Sequence, residues 1–162
     1  MSNTKQTRAP KQLGDFGEGF VNYVLIKKGY EVAVVDHVGA DLIAEKGGRL
    51  YAISVKTRNF KKGSKEGFSF YFEHDHIEKL KEFAKRFAKM TPVIAFVLSL
   101  EDDKTIEVLI IKTDDFEKDS SIFKKSSKGT ITINLNTNKQ PTINSNFVDY
   151  SLWENKCLGK KF

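Results

Sequence analysis

Residues 41–58, DLIAEKGGRLYAISVKTR, read as two extended runs hinged on a glycine pair. Gly47 and Gly48 reach positive φ at little cost, which a two-residue hairpin loop requires. With those two as the loop, Lys46 faces Arg49, Glu45 faces Leu50, Ile43 faces Ala52 and Asp41 faces Ser54. Opposed residues on such strands have Cβ atoms about 4.5–5.5 Å apart. Alternation then sends Asp41, Ile43, Ala52, Ser54 and Lys56 to one face, and Leu42, Ala44, Tyr51, Ile53 and Val55 to the other. The second face is apolar throughout. The first is polar only at one end, where Asp41, Ser54 and Lys56 meet. A polar cluster at the end of a hairpin buried on both sides is costly unless something binds there.

The flanking sequence supplies the rest of a domain. From Leu13 to Lys28, Phe16, Phe20 and Val24 recur at four-residue spacing ahead of Gly29, which predicts a helix with one buried face. EVAVVD, 31–36, follows as a short buried strand, and HVGA turns the chain into the hairpin. FSFYF, 68–72, is another extended stretch after a lysine-bearing loop. Asp75 and Glu78 resemble a helix-opening capping pair, and Ile77, Leu80, Phe83, Ala84 and Phe87 form a helical stripe ending near Met90. After Pro92, VIAFVLSL is apolar enough for a strand buried on both faces, with TIEVLIIKT as its hairpin partner across EDDK. Beyond Asp114 the pattern weakens to a small β appendage around TITINLN and a short terminal helix, SLWENKCLGKKF. The expected organisation is a basic leader over 1–12, an α/β core with a mixed sheet over 13–113, and a C-terminal extension of the same domain over 114–162.

Composition narrows the partners. The chain has 162 residues, a formal charge of +6 and 13 phenylalanines, so it can bury a core and attract a polyanion such as nucleic acid. The single cysteine, Cys157, excludes an intrachain disulfide and fits a reducing compartment. No apolar signal core or spanning run is present, so a cytoplasmic protein with no membrane association is expected.

Glu18 adds to the polar end of the hairpin. It sits in GDFGEGF, and glycines 14, 17 and 19 each weaken a helix by roughly 1 kcal/mol relative to alanine. They suit a backbone that must pass close to something, as a phosphate strand would require.

Glu18 in GEGF, Asp41 in GADLIA and Lys56 in ISVKTR, with the αβββαβ order over 13–112, resemble the PD-(D/E)XK nuclease superfamily. That superfamily includes restriction endonucleases and archaeal-type Holliday junction resolvases. The resemblance implies a restriction endonuclease-like fold and Mg²⁺-dependent hydrolysis of DNA phosphodiesters, with Mn²⁺ as a substitute ion. It implies Glu18, Asp41 and Lys56 as catalytic residues. The ion would sit on Asp41 and the Val55 main-chain carbonyl, with Glu18 helping and Ser54 contributing weakly or through water. Carboxylates and carbonyls suit this hard cation. Thr57, Arg58, Lys61, Lys62 and Lys65 would meet DNA. Two sites are needed to cut two strands, so a homodimer is implied, and no small-molecule cofactor is.

Ser54 departs from the family pattern, which has an acid two residues before the lysine. Three outcomes follow: Glu18 becomes the second carboxylate, an acid such as Glu73 or Asp75 folds back into the site, or only DNA binding remains. The first fits the remaining residues best. A catalytically inactive nuclease fold that binds nucleic acid is the alternative, and an interaction module for an acidic protein is a third. Ordinary roles compete throughout: Asp41 and Lys56 as a strand-end ion pair, Lys124, Lys125 and Lys128 as solvated charges, His37 as a loop residue, and HDH at 74–76 as a helix cap rather than a metal site.

Overall fold

The computed structural model describes residues 8–60, 69–100, 105–116 and 123–134. Their order is α1 (Arg8–Lys27), β1 (Glu31–His37), β2 (Ala40–Lys46), β3 (Arg49–Phe60), β4 (Ser69–Glu73), α2 (Asp75–Ala88), β5 (Thr91–Leu100), β6 (Thr105–Lys112), α3 (Thr113–Phe116), β7 (Phe123–Lys125) and β8 (Thr130–Asn134). The lysine loop 61–68, the EDDK turn and the terminal SLWENKCLGKKF fall outside the described residues.

The glycine hinge sets the sheet. Gly47 and Gly48 have φ of 61° and 78°, and the ladder runs Lys46↔Arg49, Glu45↔Leu50, Ala44↔Tyr51, Ile43↔Ala52 and Leu42↔Ile53. Strand β3 then pairs parallel with β5 from Tyr51↔Thr91 to Phe60↔Leu100, so it runs further than LYAISVKT suggests. The mixed five-stranded sheet has the order β1-β2-β3-β5-β6. Its parallel pair requires a crossover, which β4 and α2 provide.

Helices cover both faces of this sheet. Leu42, Ala44, Ile53, Val93, Ala95 and Val97 pack with Val21, Val24 and Leu25 of α1. Ala52, Ile94, Phe96 and Leu98 pack with Ile77, Leu80, Phe83 and Ala84 of α2. Every residue from Val93 to Leu98 is buried, as the unbroken apolar run of β5 predicts.

Several local expectations need correction. Helix α1 starts at Arg8, inside the expected leader, and residues 1–7 lie outside the described part. Its buried side is Gly17, Val21, Val24 and Leu25, whereas Phe16 is exposed and stacks on Phe20 at 5.5 Å. Four-residue spacing drifts around a helix, and the bare Cα of Gly17 lets its own side approach the sheet. Strand β1 is not buried: it is an edge strand, with Val34 66% exposed. Asp75 does not cap α2. His74 holds the N-cap position without a side-chain cap bond, and Asp75 pairs with Lys79 at 2.6 Å. Phe87, expected in the apolar stripe, is exposed. Around TITIN, β8 pairs with β4 in a second sheet of order β4-β8-β7, and its Ile131 packs in the core with α2. Among the described residues no helix is long and apolar enough to cross a membrane.

Candidate active site

The β2–β3 ladder ends at Leu42↔Ile53, and the next residue on β2 turns its side chain to the partner strand. Asp41 Oδ2 accepts a hydrogen bond from the Val55 backbone N–H at 2.6 Å. The carboxylate thus satisfies a main-chain donor beyond the ladder, and among the described residues Oδ1 is left to offer a ligand. Ser54, one position earlier on β3, is buried at 7% exposure.

Lys56 lies on the same side of β3 as Ser54, towards α2. Its Nζ lies 3.2 Å from His76 Nδ1 and sits over the Phe72 ring at 6.0 Å from the centroid. Burial pulls the Lys56 pKa below that of an ordinary lysine, while the Asp41 and Glu18 carboxylates act in the opposite direction.

Glu18 comes from α1, on the other layer. Burial raises its pKa, the carboxylates of Asp41, Asp15 and Asp36 raise it further, and Lys56 lowers it. Three elements therefore put Glu18, Asp41 and Lys56 into one electrostatic field. Asp15 and Asp36 join that field without having been anticipated. Asp36 sits where the β1–β2 register shifts between Val34 and His37, and an irregularity of that kind has no signature in EVAVVDH.

Gly17 has a different reason from the one the glycine pattern suggests. A Cβ at Gly17 would meet Thr57 Oγ1, Cβ and Cγ2 of this same chain, while Gly14 and Gly19 have nothing within 4 Å among the described residues. Thr57 Oγ1 is buried and without a hydrogen-bond partner among the described residues, and it faces the helix rather than an external phosphate. Arg58 donates from Nη1 to the Ser69 carbonyl at 3.1 Å, and its guanidinium lies over the Tyr71 ring at 5.5 Å. Lys61, Lys62 and Lys65 lie outside the described residues. Lys124, Lys125 and Lys128 are exposed on β7 and the turn after it. His37 contacts Phe83 and Phe87, at 4.9 and 5.3 Å between ring centroids.

A second group stands on the α2 side. Ligand atoms of Glu73, Asp75 and His76 lie within 4.8 Å of one another, all three residues being exposed. Lys79 hydrogen-bonds the Asp75 carboxyl and holds its pKa below the usual range. A lysine on Asp75 and another on His76 already supply positive charge to this group.

The donor chemistry around Glu18 and Asp41 suits a hard divalent cation. Burial and the neighbouring carboxylates together raise the Glu18 pKa, and Lys56 is the cation that offsets those carboxylates. Oxygen donors carrying surplus negative charge are what Mg²⁺ or Mn²⁺ requires.

Residues 23–142 match the family described as archaeal Holliday junction resolvase (Hjc). The matched span includes Asp41, Ser54 and Lys56 and begins after Glu18. Among solved structures the chain is similar to Hjc, a Holliday junction resolvase of the archaeal hyperthermophile Archaeoglobus fulgidus. The identity is 20% and the TM-score 0.55, over 75% of this chain and 83% of that one. A bacterial homing endonuclease aligns at 14% identity and a TM-score of 0.48, over 78% of each chain. No curated protein matches the chain. The Archaeoglobus likeness shows the fold, a restriction endonuclease-like α/β sheet flanked by helices, as the PD-(D/E)XK resemblance implied. From the matched span, the chain belongs to the archaeal Holliday junction resolvase (Hjc) family.

Proposed function

We propose that this protein is a metal-dependent endonuclease that cuts branched DNA, with Glu18, Asp41 and Lys56 as its catalytic residues. One observation carries the reading. Asp41 on β2 and Lys56 on β3 both act on the ionisation of Glu18 on α1, and Asp41 and Glu18 both act on that of Lys56, at the end of a hairpin whose Leu42, Ala44, Ala52 and Ile53 are packed core. Such mutual perturbation is characteristic of sites built for chemistry.

Asp41, Glu18, the Val55 carbonyl and, weakly, the Ser54 hydroxyl would hold Mg²⁺ or Mn²⁺. Bound there, the cation offsets charge on the scissile phosphate and makes water a better nucleophile. Lys56 places its ammonium where negative charge grows on the phosphate oxygens. Glu18 would help to hold the cation and, through it, the attacking water. The basic chain, +6 overall, holds the DNA, with Arg58 and Lys61, Lys62 and Lys65 near the site in sequence. A homodimer supplies two such sites for two strands.

The test is cleavage of a four-way DNA junction compared with linear duplex, single strands and supercoiled plasmid, in Mg²⁺ and in Mn²⁺. Junction cutting that disappears in Asp41→Ala and in Lys56→Ala supports the reading. Absence of cutting in both metals overturns it. Ser54, buried and neutral, favours a second reading in which the fold binds DNA without cutting. That reading expects salt-sensitive junction binding with no product.

A further inference from the structure

Lys56 has a neighbour that the family pattern does not anticipate. His76, in the first turn of α2, presents Nδ1 to Lys56 Nζ at 3.2 Å. An ammonium has donors only, so Nδ1 must be the accepting nitrogen and the ring proton must sit on Nε2. The surroundings favour that tautomer. Nε2 lies 3.9 Å from Asp75 Oδ1, while the other oxygen of Asp75 is taken by Lys79 at 2.6 Å. Phe72 walls the pair, with its ring 6.4 Å from the imidazole and 6.0 Å from the ammonium.

We infer that His76 is a positioning residue for Lys56, holding the ammonium in a fixed direction through Nδ1 in a site where Ser54 provides no charged acceptor. The inference rests on the proposed nuclease reading for its catalytic consequence. A lysine side chain has four rotatable bonds, and a partner that fixes its end removes freedom that would otherwise be lost in the reaction. An acid two residues before the lysine would supply an anchoring charge. Here Ser54 is neutral, and the imidazole anchors Lys56 from α2, the helix that its side chain faces. Asp75 stands behind the imidazole, its Oδ1 3.9 Å from Nε2.

The test uses the full chain and three variants, with thermal unfolding as the check that each folds. His76→Asn keeps an acceptor about where Nδ1 lies, His76→Gln places its amide further out, and His76→Ala removes the group. Single-turnover junction cleavage at saturating Mg²⁺ is expected to fall by about tenfold to a hundredfold in His76→Ala and in His76→Gln. It should recover in His76→Asn, with junction affinity constant across the series. In lysine-selective ¹⁵N NMR, the Lys56 Nζ signal should shift and gain mobility in His76→Ala and return towards the wild-type signal in His76→Asn. Equal rates in the Ala and Asn variants, or a Lys56 signal that ignores His76, overturn the inference. Should the wild type cut no junction in either metal, the nuclease reading fails, and the NMR comparison alone decides whether His76 positions Lys56.

Discussion

Gly17 and Thr57 touch so closely that a methyl group at position 17 would stand 1.7 Å from the Thr57 hydroxyl oxygen. Each residue is the chain neighbour of a proposed catalytic group, Glu18 on one side and Lys56 on the other. The contact therefore sets how far α1 stands from β3, and with it the placing of Glu18. Gly17→Ala should destabilise the fold by about 1–3 kcal/mol, the usual cost of forcing extra volume into a packed contact. Gly14→Ala and Gly19→Ala meet open space and should stabilise α1 by roughly 0.5–1 kcal/mol each. Urea unfolding of the three variants checks the contrast.

The charges at the site should cost stability where the protein works. Glu18 has a pKa raised from its ordinary 4.5, chiefly by burial. Its contribution to stability is fully present below that ordinary value and is lost as pH rises through the raised one. Glu18→Gln should therefore gain in melting temperature over the wild type as pH rises from acid to neutral. Lys56 is depressed from 10.5, again chiefly by burial. Its contribution is present above the ordinary value and is lost as pH falls through the lowered one, so Lys56→Met should also be stabilised at neutral pH. Melting curves across that range check both variants, and both should lose cutting.

Ser54→Glu tests the departure from the family pattern. The new carboxylate would sit beside Asp41 and the Val55 carbonyl, where a cation gains a second negative ligand. The Mg²⁺ concentration for half-maximal junction cutting should fall about tenfold, the low end of what altered metal surroundings produce. Without metal the same variant should be less stable than the wild type, because Ser54 is buried. Metal titrations of activity and of melting temperature check this pair of effects.

The hairpin and the central strand were legible because each is encoded locally. Gly47 and Gly48 set the register, and with it the faces of Asp41 and Lys56. The unbroken apolar run of β5 announced burial on both sides. What the sequence hid depends on long-range assembly. Strand β1 has the composition of a buried strand and becomes an edge because nothing pairs with its outer side among the described residues. HDH looked like a cap because the capping pattern is local, yet the N-cap falls on His74, which leaves His76 turned towards Lys56. That meeting requires the crossover through β4 to bring the start of α2 over β3. No spacing within 74–76 encodes it. Gly17 was legible as a point of close approach, but the surface it approaches belongs to the chain itself.

The central claim is that Glu18 and Asp41 share one divalent cation, and Mn²⁺ binding followed by electron paramagnetic resonance tests it without requiring turnover. The account predicts that Asp41→Asn abolishes binding, that Glu18→Gln weakens it, and that Glu73→Gln leaves it at the wild-type level. Mn²⁺ binding that survives Asp41→Asn and vanishes in Glu73→Gln would contradict the account and move the metal to the Glu73–Asp75–His76 group.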